Sequence, residues 1–470
     1  MKAMNRFQIA VTIVLTAAPM LVRGQQPPAS SDRGDQRSDS SAPPTQPGHS
    51  GHGAHTTAAD GSPTATEAMG SMEDPLGLPM SRDASGTSWQ PDSTPVLGHH
   101  FTLGDWMLML HYIALTGYDA QGGHDRGDSQ WMSANWVMLM AQRNLLGGQL
   151  VGRLMLSAEP LTTGGKRGYP LLLQTGETAD GLPLHDRQHP HDLFMEVAVR
   201  YRHALSDSFG LDLYLAASGE PALGPTAFPH RVSASANPFA ALGHHWQDSS
   251  HIAFGVLTAG IYTRRLKLEG SWFNGREPDE NRYNFDFRTP DSYSARLTYN
   301  PTDALSFQVS FGYLDSPEGL DPKNSVRRTT ASVTHNARFD SGNWATTAVF
   351  GHNEFSSEPT TNAALLESNL EIDRNTIFGR VELVQRTGHD LVLAPPDAET
   401  VFSAGVLEFG YVRDLPPLGP ISLGIGAVGA AYLLPAGLQP YYGTRVPLSG
   451  MVFLRLRPAE AVHSGHHHPM

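Results

Sequence analysis

The sequence predicts an all-β protein, a transmembrane antiparallel β-barrel of about 16 strands (about 14 to 18) that follows a disordered N-terminal tail. Three observations support this fold class. From Phe101 onward, apolar and polar residues alternate in long segments. The connections between these segments are alternately short and long, as in bacterial outer-membrane barrels. After the N-terminus, no apolar run reaches the roughly 18 residues of a membrane-spanning helix, which excludes a helical membrane protein.

Two segments are predicted before the barrel. Residues 1–24 contain an apolar run from Ile9 to Ala18 that is too short to span a bilayer, which predicts a signal peptide. Residues 25–95 are rich in Ser, Pro, Gly, Asp and Thr and predict a disordered periplasmic tail that contains His and Met. The barrel then covers residues 96–458, and residues 459–470 form a His-rich C-terminal tail. Both tails could scavenge metal ions or act only as solvated linkers.

The composition narrows the possible partners. Cysteine is absent, so the chain has no disulfide and no thiolate ligand, and Met and His would have to hold any soft metal ion. The formal net charge of -13 argues against nucleic acid as a partner.

The predicted strands follow the alternating segments in order. They lie near residues 101–118, 130–144, 148–159, 191–205, 209–219, 252–263, 265–274, 291–300, 304–313, 325–339, 343–355, 362–373, 375–388, 399–414, 418–434 and 446–458.

The lengths of the turns predict the orientation of the barrel. Every second connection is short, for example at residues 145–147, 301–303 and 340–342. Barrels of this class place short turns in the periplasm and long loops outside the cell. We therefore expect a bacterial outer-membrane location, with lipid around the wall and both termini in the periplasm.

The two faces of each predicted strand differ in polarity. Lys267 and Glu269, for example, alternate with Leu266 and Leu268. A charge on the lipid face costs about 2 to 4 kcal/mol at the membrane midplane, so the charged face is expected to line the lumen. A soluble β-sandwich would also alternate, but its strands are usually shorter, at about five or six residues.

Methionines are concentrated in the first two predicted strands. One face of the first strand carries Met107, Met109 and His111. One face of the second strand carries Met132, Met138 and Met140. Ser133 and Asn135 occupy the opposite face of the second strand, which predicts that its methionines face lipid. Thioethers and imidazoles bind Cu(I), but core or lipid contact is the favoured interpretation.

Histidines are concentrated in two of the long connections, at residues 183–192 and 230–251. If the two strands between these connections are antiparallel neighbours, both groups emerge at the same end of the sheet. Imidazole and carboxylate groups bind divalent transition-metal ions. The candidate metal ligands are His185, His189, His191, Asp192, His244 and His251.

The same connections allow two other interpretations. The histidines could only stiffen the barrel mouth, through hydrogen bonds to backbone groups and to acids such as Glu177 and Glu196. Ser249 and Ser250, with an aspartate and histidines nearby, could belong to a hydrolase. No Gly-x-Ser-x-Gly motif surrounds these serines, so an enzyme is not the favoured function.

Several short motifs resemble those of an uncharacterised family of bacterial outer-membrane β-barrel proteins. They include Asp186 to Asp192 (DRQHPHD), His230 to Ala234 (HRVSA) and Phe273 to Asp279 (FNGREPD). The resemblance covers about residues 105–382 and implies an association with copper-handling genes. The His- and Met-bearing N-terminal tail is similar in style to that of copper-resistance outer-membrane B proteins, although this chain lacks their dense Met-x-x-Met repeats.

These observations lead to a ranked set of functions. The favoured hypothesis is an outer-membrane barrel that binds a transition-metal ion, with copper as the candidate ion, and that takes part in copper efflux or sequestration with periplasmic copper-handling proteins as partners. The first alternative is a porin-like channel or a structural barrel for small polar solutes. The second is an outer-membrane hydrolase.

Overall fold

The computed structural model describes residues 73–459. The predicted signal peptide, residues 25–72 of the predicted tail and residues 460–470 lie outside the described residues, and the predictions made for them stay predictions.

Nineteen β-strands occur within residues 73–459. They are β1 (His99–Leu103), β2 (Trp106–Gln121), β3 (Asp128–Leu145), β4 (Gly148–Leu156), β5 (Tyr169–Ala179), β6 (Leu182–Gln188), β7 (Phe194–Ala204), β8 (Gly210–Gly219), β9 (Ala253–Tyr262), β10 (Leu266–Phe273), β11 (Ser292–Thr302), β12 (Leu305–Leu314), β13 (Val326–Phe339), β14 (Gly342–Phe355), β15 (Thr361–Ile372), β16 (Asn375–Thr387), β17 (Val401–Asp414), β18 (Ile421–Leu433) and β19 (Leu448–Pro458).

Helical structure in the same part of the chain consists of single turns. The α-helical turns are Glu159–Thr162, His244–Gln247 and Gln439–Tyr442. The 3-10 turns are Met80–Arg82, His124–Arg126, Gly165–Arg167, Phe228–His230, Val232–Ala234, Ser249–His251, Asp397–Glu399 and Ala436–Leu438. Among residues 73–459, no helix is both long enough and apolar enough to cross a membrane.

The strands form a closed antiparallel barrel. Each wall strand pairs with the next along the chain, and β19 closes the wall by pairing with β2, from Ser449 opposite Gln121 to Leu456 opposite Ala114. The sheet contains 17 strands, one of which, β1, pairs only with the first residues of β2. Without β1 the wall has 16 strands, β2 to β4 and β7 to β19, which confirms the predicted fold class.

Each predicted strand corresponds to one wall strand, with one correction. The predicted segment 101–118 spans both β1 and β2, because the chain turns at Gly104, whose φ of 58° favours glycine. The connections alternate between short and long, as predicted. We call the two ends of the barrel the short-turn end and the long-loop end.

The wall alternates in polarity as predicted. Lys267 is 0% exposed and Glu269 is 3% exposed, whereas Leu268 on the other face is 51% exposed. A buried charge without a partner is costly, and the inward charges are paired. Lys267 Nζ lies 3.0 Å from Glu269 Oε2 and 2.9 Å from Asp212 Oδ2.

Two long connections fold into the lumen. The connection between β4 and β7 contains the hairpin β5–β6, which forms a separate two-stranded sheet. The sequence predicts a loop there, because register shifts between the two strands interrupt a regular alternation. The connection between β8 and β9, residues 220–252, is called here the infolded loop. Its Gly243 N donates a 2.8 Å hydrogen bond to Glu382 Oε2 on the inner face of β16.

Residues 73–98, called here the lumenal segment, also lie inside the wall. Thr87 O accepts a 2.5 Å hydrogen bond from Lys267 Nζ, and Asp83 pairs with Arg200 at 3.1 Å. The prediction of a disordered tail up to residue 95 is therefore wrong for this segment. Its polar composition resembles that of a linker, but its carboxylates and carbonyl groups match the cations on the inner face of the wall.

The methionines of β3 face the lumen. Met138 is 6% exposed and Met140 is 7% exposed, whereas Leu139 between them is 39% exposed. The predicted lipid contact of these methionines is therefore wrong. Asn135 lies on the opposite face, toward the long-loop end. Its Nδ2 donates a 3.0 Å hydrogen bond to Thr162 Oγ1, so this polar side chain is satisfied although it does not face the lumen.

Candidate metal-binding site

Five histidines meet inside the long-loop half of the barrel. His189 and His191 follow β6, and His244, His245 and His251 lie near the end of the infolded loop. Each is at most 8% exposed. The ring centroids form a continuous series, with His245 5.7 Å from His189, His189 6.2 Å from His244, His244 5.2 Å from His251, and His251 5.2 Å from His191. We call these five residues the histidine cluster.

A glycine of the hairpin makes room for the cluster. Gly176 has a φ of 105°, and a Cβ at this position would lie 2.3 Å from His245 Cε1. Any larger residue at position 176 would displace the imidazole of His245. A glycine is thus required at position 176, because the hairpin approaches the infolded loop closely there.

The Nδ1 atom of each cluster histidine lies against an oxygen. The distances are 2.8 Å from His191 to Glu159 Oε2, 2.6 Å from His244 to Asp248 Oδ1, 3.2 Å from His189 to Glu177 Oε1, 3.2 Å from His245 to Glu277 Oε1 and 2.8 Å from His251 to Asp248 O. Oxygen partners of this kind fix the orientation and the tautomer of an imidazole, so that Nδ1 carries the proton and Nε2 has a free lone pair.

The Nε2 atoms of all five histidines are buried without a hydrogen-bond partner. One such atom costs about 1 to 3 kcal/mol, so five in one cluster need a physical explanation. One ring nitrogen each from His189, His244 and His245 lies within 4.8 Å of the other two. Three imidazoles that converge in this way are a donor set suited to a transition-metal ion such as zinc or copper.

Burial keeps three rings of the cluster neutral, those of His189, His244 and His251. It lowers the pKa of His244 to about 4, although the hydrogen bond to Asp248 opposes this shift. Burial, together with the charge of Arg282, holds the pKa of His189 well below its ordinary value, and burial does the same for His251. These rings are unprotonated at pH 7, which is the form that a metal ion binds.

Four of the six predicted ligands lie in the histidine cluster: His189, His191, His244 and His251. Asp192 does not, because its Oδ2 lies 3.5 Å from Arg282 NH1. His185 also lies elsewhere, with Nδ1 3.0 Å from Asp186 Oδ2 and its side chain 38% exposed. The alternation of β6 ends at Gln188, so the direction of His185 does not carry over to His189.

The prediction of ligands missed His245. Neighbouring residues of an extended chain point in opposite directions, so His244 and His245 would not be expected to share a site. The structure places both in the helical turn His244–Gln247, where their ring centroids are 5.2 Å apart. Only the adjacent histidines themselves, His244 and His245, indicate in the sequence that His245 could be a ligand.

The serines beside the cluster are not arranged as nucleophiles. Ser249 Oγ accepts a 2.9 Å hydrogen bond from Arg328 NH1, and Ser250 Oγ is buried without a partner. Within residues 73–459, neither Ser249 nor Ser250 forms a hydrogen bond with a histidine, so these two serines do not form the Ser-His pair of a hydrolase.

A cavity of about 360 Å³ lies beside the histidine cluster at the long-loop end. Its lining includes Glu177 and Glu277, the carboxylates that contact His189 and His245. An ion in this cavity would therefore be one side chain away from the cluster.

No protein-family model matches the sequence, and no curated protein matches it either. Solved structures with a similar fold include the anion-selective porin from Comamonas acidovorans, with 13% identity and a TM-score of 0.44 over 74% of this chain and 99% of that chain. Salmonella typhi OmpF has 11% identity and a TM-score of 0.46 over 76% of this chain and 100% of that chain. Pseudomonas putida OprB has 10% identity and a TM-score of 0.45 over 75% of this chain and 94% of that chain. The likeness concerns the barrel fold alone.

Proposed function

We propose that this chain is a bacterial outer-membrane β-barrel that binds a transition-metal ion in its histidine cluster. The ligands are His189, His244 and His245, and the other two histidines extend the site on the far side of His244. One observation carries the proposal: five buried imidazoles are oriented through Nδ1 and leave Nε2 without a partner. A purely structural cluster would gain stability by giving these atoms hydrogen bonds.

The polarity of the wall supports insertion in a lipid bilayer. Its outward face carries exposed apolar side chains such as Leu268, Trp272 and Phe409, and a closed barrel leaves no backbone group of the wall unpaired toward lipid. In this proposal the short-turn end faces the periplasm, together with both termini, and the histidine cluster lies toward the cell exterior.

The donor set narrows the choice of metal ion. Imidazole nitrogens suit zinc, copper, iron and nickel, and among the divalent ions Cu²⁺ binds most tightly to a given set of nitrogen ligands. Copper is therefore the proposed ion. The barrel would serve copper efflux or sequestration and would meet periplasmic copper-handling proteins at its short-turn end.

A zinc titration of the refolded barrel in detergent tests metal binding, because Zn²⁺ has no redox chemistry. We expect His244→Ala to lower the zinc affinity by at least about 100-fold, since it removes a ligand rather than its hydrogen-bond partner. His124→Ala is the matched control, because His124 is exposed in the connection between β2 and β3. Both variants are also made without residues 25–72 and 460–470, to remove binding by the tails. Equal affinities in this shortened background would refute the proposal.

A porin-like channel for small polar solutes is the second candidate. The charged inner face of the wall favours it, because an aqueous pore needs a polar lining. The lumenal segment and the infolded loop occupy the lumen, so this function requires that they move. Conductance steps in planar bilayers without metal would support a channel, and a silent barrel that still binds zinc would exclude it.

A further inference from the structure

A second group of metal-binding side chains lies in the lumen outside the histidine cluster. Five methionines from four neighbouring strands, β2, β3, β4 and β7, pack together there, and each is at most 7% exposed. They are Met109, Met138, Met140, Met155 and Met195. We call these five residues the methionine cluster.

The strand register brings the thioethers together in rows. Met138 lies directly opposite His111 of β2 on one side and Met155 of β4 on the other, and Met140 lies opposite Met109. Opposite residues of antiparallel strands have Cβ atoms about 4.5 to 5.5 Å apart. Side chains as long as methionine in one row can therefore contact the same ion.

An irregularity in the wall adds the fifth methionine. The register of β4 and β7 shifts between Met155 and Leu156, so that Met195 and Glu196 are both buried. Simple alternation places Met195 on the outward apolar face with Val197. The shift turns its thioether toward the lumen and into the methionine cluster.

A histidine from the infolded loop completes the group. His230 Nε2 lies 3.1 Å from Met155 Sδ. The ring of His230 packs on Trp136 at 4.8 Å between centroids, and Trp136 packs on His111 at 4.6 Å. An imidazole nitrogen and a thioether sulfur thus already face each other, beside the four other methionines of the cluster.

The surroundings of the methionine cluster differ from those of the histidine cluster. Apolar residues such as Trp136, Val151 and Phe254 pack around it. Arg153, which lies opposite Met140, is also buried beside it but is paired with Glu196 at 3.5 Å, whereas carboxylates contact the cluster histidines directly. The cost of burying an ion rises with its charge. Surroundings whose only charges are already paired, together with neutral ligands, therefore favour a monovalent ion over a divalent one. Thioether and imidazole ligands favour soft ions such as Cu(I).

We propose that the methionine cluster and His230 form a second metal site, which binds Cu(I) or the chemically similar Ag(I). This site does not depend on the histidine cluster, since the two share no side chain. Met138 and Met155 are the central ligands, because they join His111, His230 and the remaining methionines. With two sites of different softness, one barrel would hold both oxidation states of copper.

Silver titration of the full-length refolded protein in chloride-free buffer tests this site, with tryptophan emission as a local signal. Silver is expected to quench Trp136, which lies between His111 and His230. In Met138→Leu/Met155→Leu the quenching should disappear and the stoichiometry should fall by one ion, while Leu preserves the packing. Met132→Leu, a buried methionine of β3 outside the cluster, is the control.

Two further results separate this proposal from the proposed function. His189→Ala should lose zinc binding and keep the silver-dependent quenching of Trp136, and His230→Gln should do the reverse. Met195→Leu provides a milder variant if the double substitution fails to refold. Unchanged quenching and stoichiometry in a folded Met138→Leu/Met155→Leu barrel would show that the methionines only fill space, and would overturn the second site.

Discussion

The two halves of the lumen use buried polar groups in different ways. In the short-turn half, the lumenal segment is held by matched charges, since Asp83 lies 3.1 Å from Arg200 and 3.0 Å from Arg202. In the long-loop half, the histidine cluster has one nitrogen of each ring matched and the other without a partner. Side chains of both regions are buried, with Asp83 6% exposed and His244 1% exposed. The difference shows that burial alone does not mark a binding site, whereas buried lone pairs that converge without partners do.

The pKa values follow the same division. Burial by itself would raise the pKa of Asp83, but Arg200 and Arg202 lower it to about 2, so the carboxylate stays ionised as half of an ion pair. For His244, burial dominates and lowers the pKa to about 4. The Asp83 carboxylate of the lumenal segment therefore stays charged in an ion pair, whereas the His244 imidazole of the histidine cluster stays neutral.

The largest loss of stability is expected from Arg231→Ala. Arg231 belongs to the infolded loop and, like the lumenal segment, is held by ion pairs. Arg231 NH1 lies 3.0 Å from Asp248 Oδ2, and Arg231 Nε lies 2.5 Å from Glu367 Oε1. Its removal leaves the buried Asp248 without its arginine, while Glu367 keeps Arg380 at 3.0 Å. One uncompensated buried carboxylate should lower the free energy of unfolding by about 3 to 5 kcal/mol. Urea unfolding followed by tryptophan emission measures the change.

The control is Arg167→Ala, at an exposed ion pair, which should change the free energy of unfolding by less than about 1 kcal/mol. Equal losses in the two variants would contradict this account of the infolded loop.

A smaller loss of stability is expected from Asp83→Asn in the lumenal segment. Arg200 keeps its 2.6 Å contact with Asp212, so the cost should be about 1 to 3 kcal/mol rather than that of a fully unpaired charge. Faster proteolysis of the lumenal segment should accompany it, with zinc affinity unchanged. Asp105→Asn, at an exposed aspartate, is the control. A parallel loss of zinc affinity in Asp83→Asn would break the division between the two regions.

Within the histidine cluster, Glu277→Ala should weaken metal binding without unfolding the barrel. Glu277 holds Nδ1 of His245 at 3.2 Å, and loss of such a partner typically lowers metal affinity by about 10- to 100-fold. Zinc titration measures the effect. Asp279→Ala serves as the control, because this exposed residue of the same loop contacts Asn281 rather than a cluster histidine. Matching affinities for the two variants would show that the carboxylate does not position His245.

The sequence predicts the wall more fully than the interior for a physical reason. A wall strand is encoded locally, since the alternation of Lys267 and Leu268 by itself predicts which side chain faces inward and which faces outward. The interior depends on contacts between residues distant in sequence. The inward position of Asp83 follows from cations more than a hundred residues later, and the approach of His245 to His189 needs both the helical turn after Gly243 and the space beside Gly176. The direction of Met195 is reversed by a register shift that no periodic pattern encodes.

The smallest effect is expected from pH, and it separates the two regions by their titration ranges. The pKa of His244 is about 4 in the folded chain and near 6.5 when unfolded, so the unfolded state binds more protons between these values. The metal-free barrel should therefore lose stability as the pH falls below 6.5, with His244 contributing about 1 kcal/mol by pH 5.5. Asp83 contributes to stability above its ordinary pKa of 3.8 and loses its contribution only as the pH falls toward 2.

Unfolding free energies at pH 7.0 and 5.5 measure the pH range of His244, and His244→Ala should show the shallower dependence of stability on pH. Bound Zn²⁺ occupies the lone pair that would take the proton, so saturating zinc should stabilise the barrel at both pH values. If wild type and His244→Ala have the same slope, the imidazole is not held neutral by burial, and the contrast between neutral ligands and matched charges fails at its central residue.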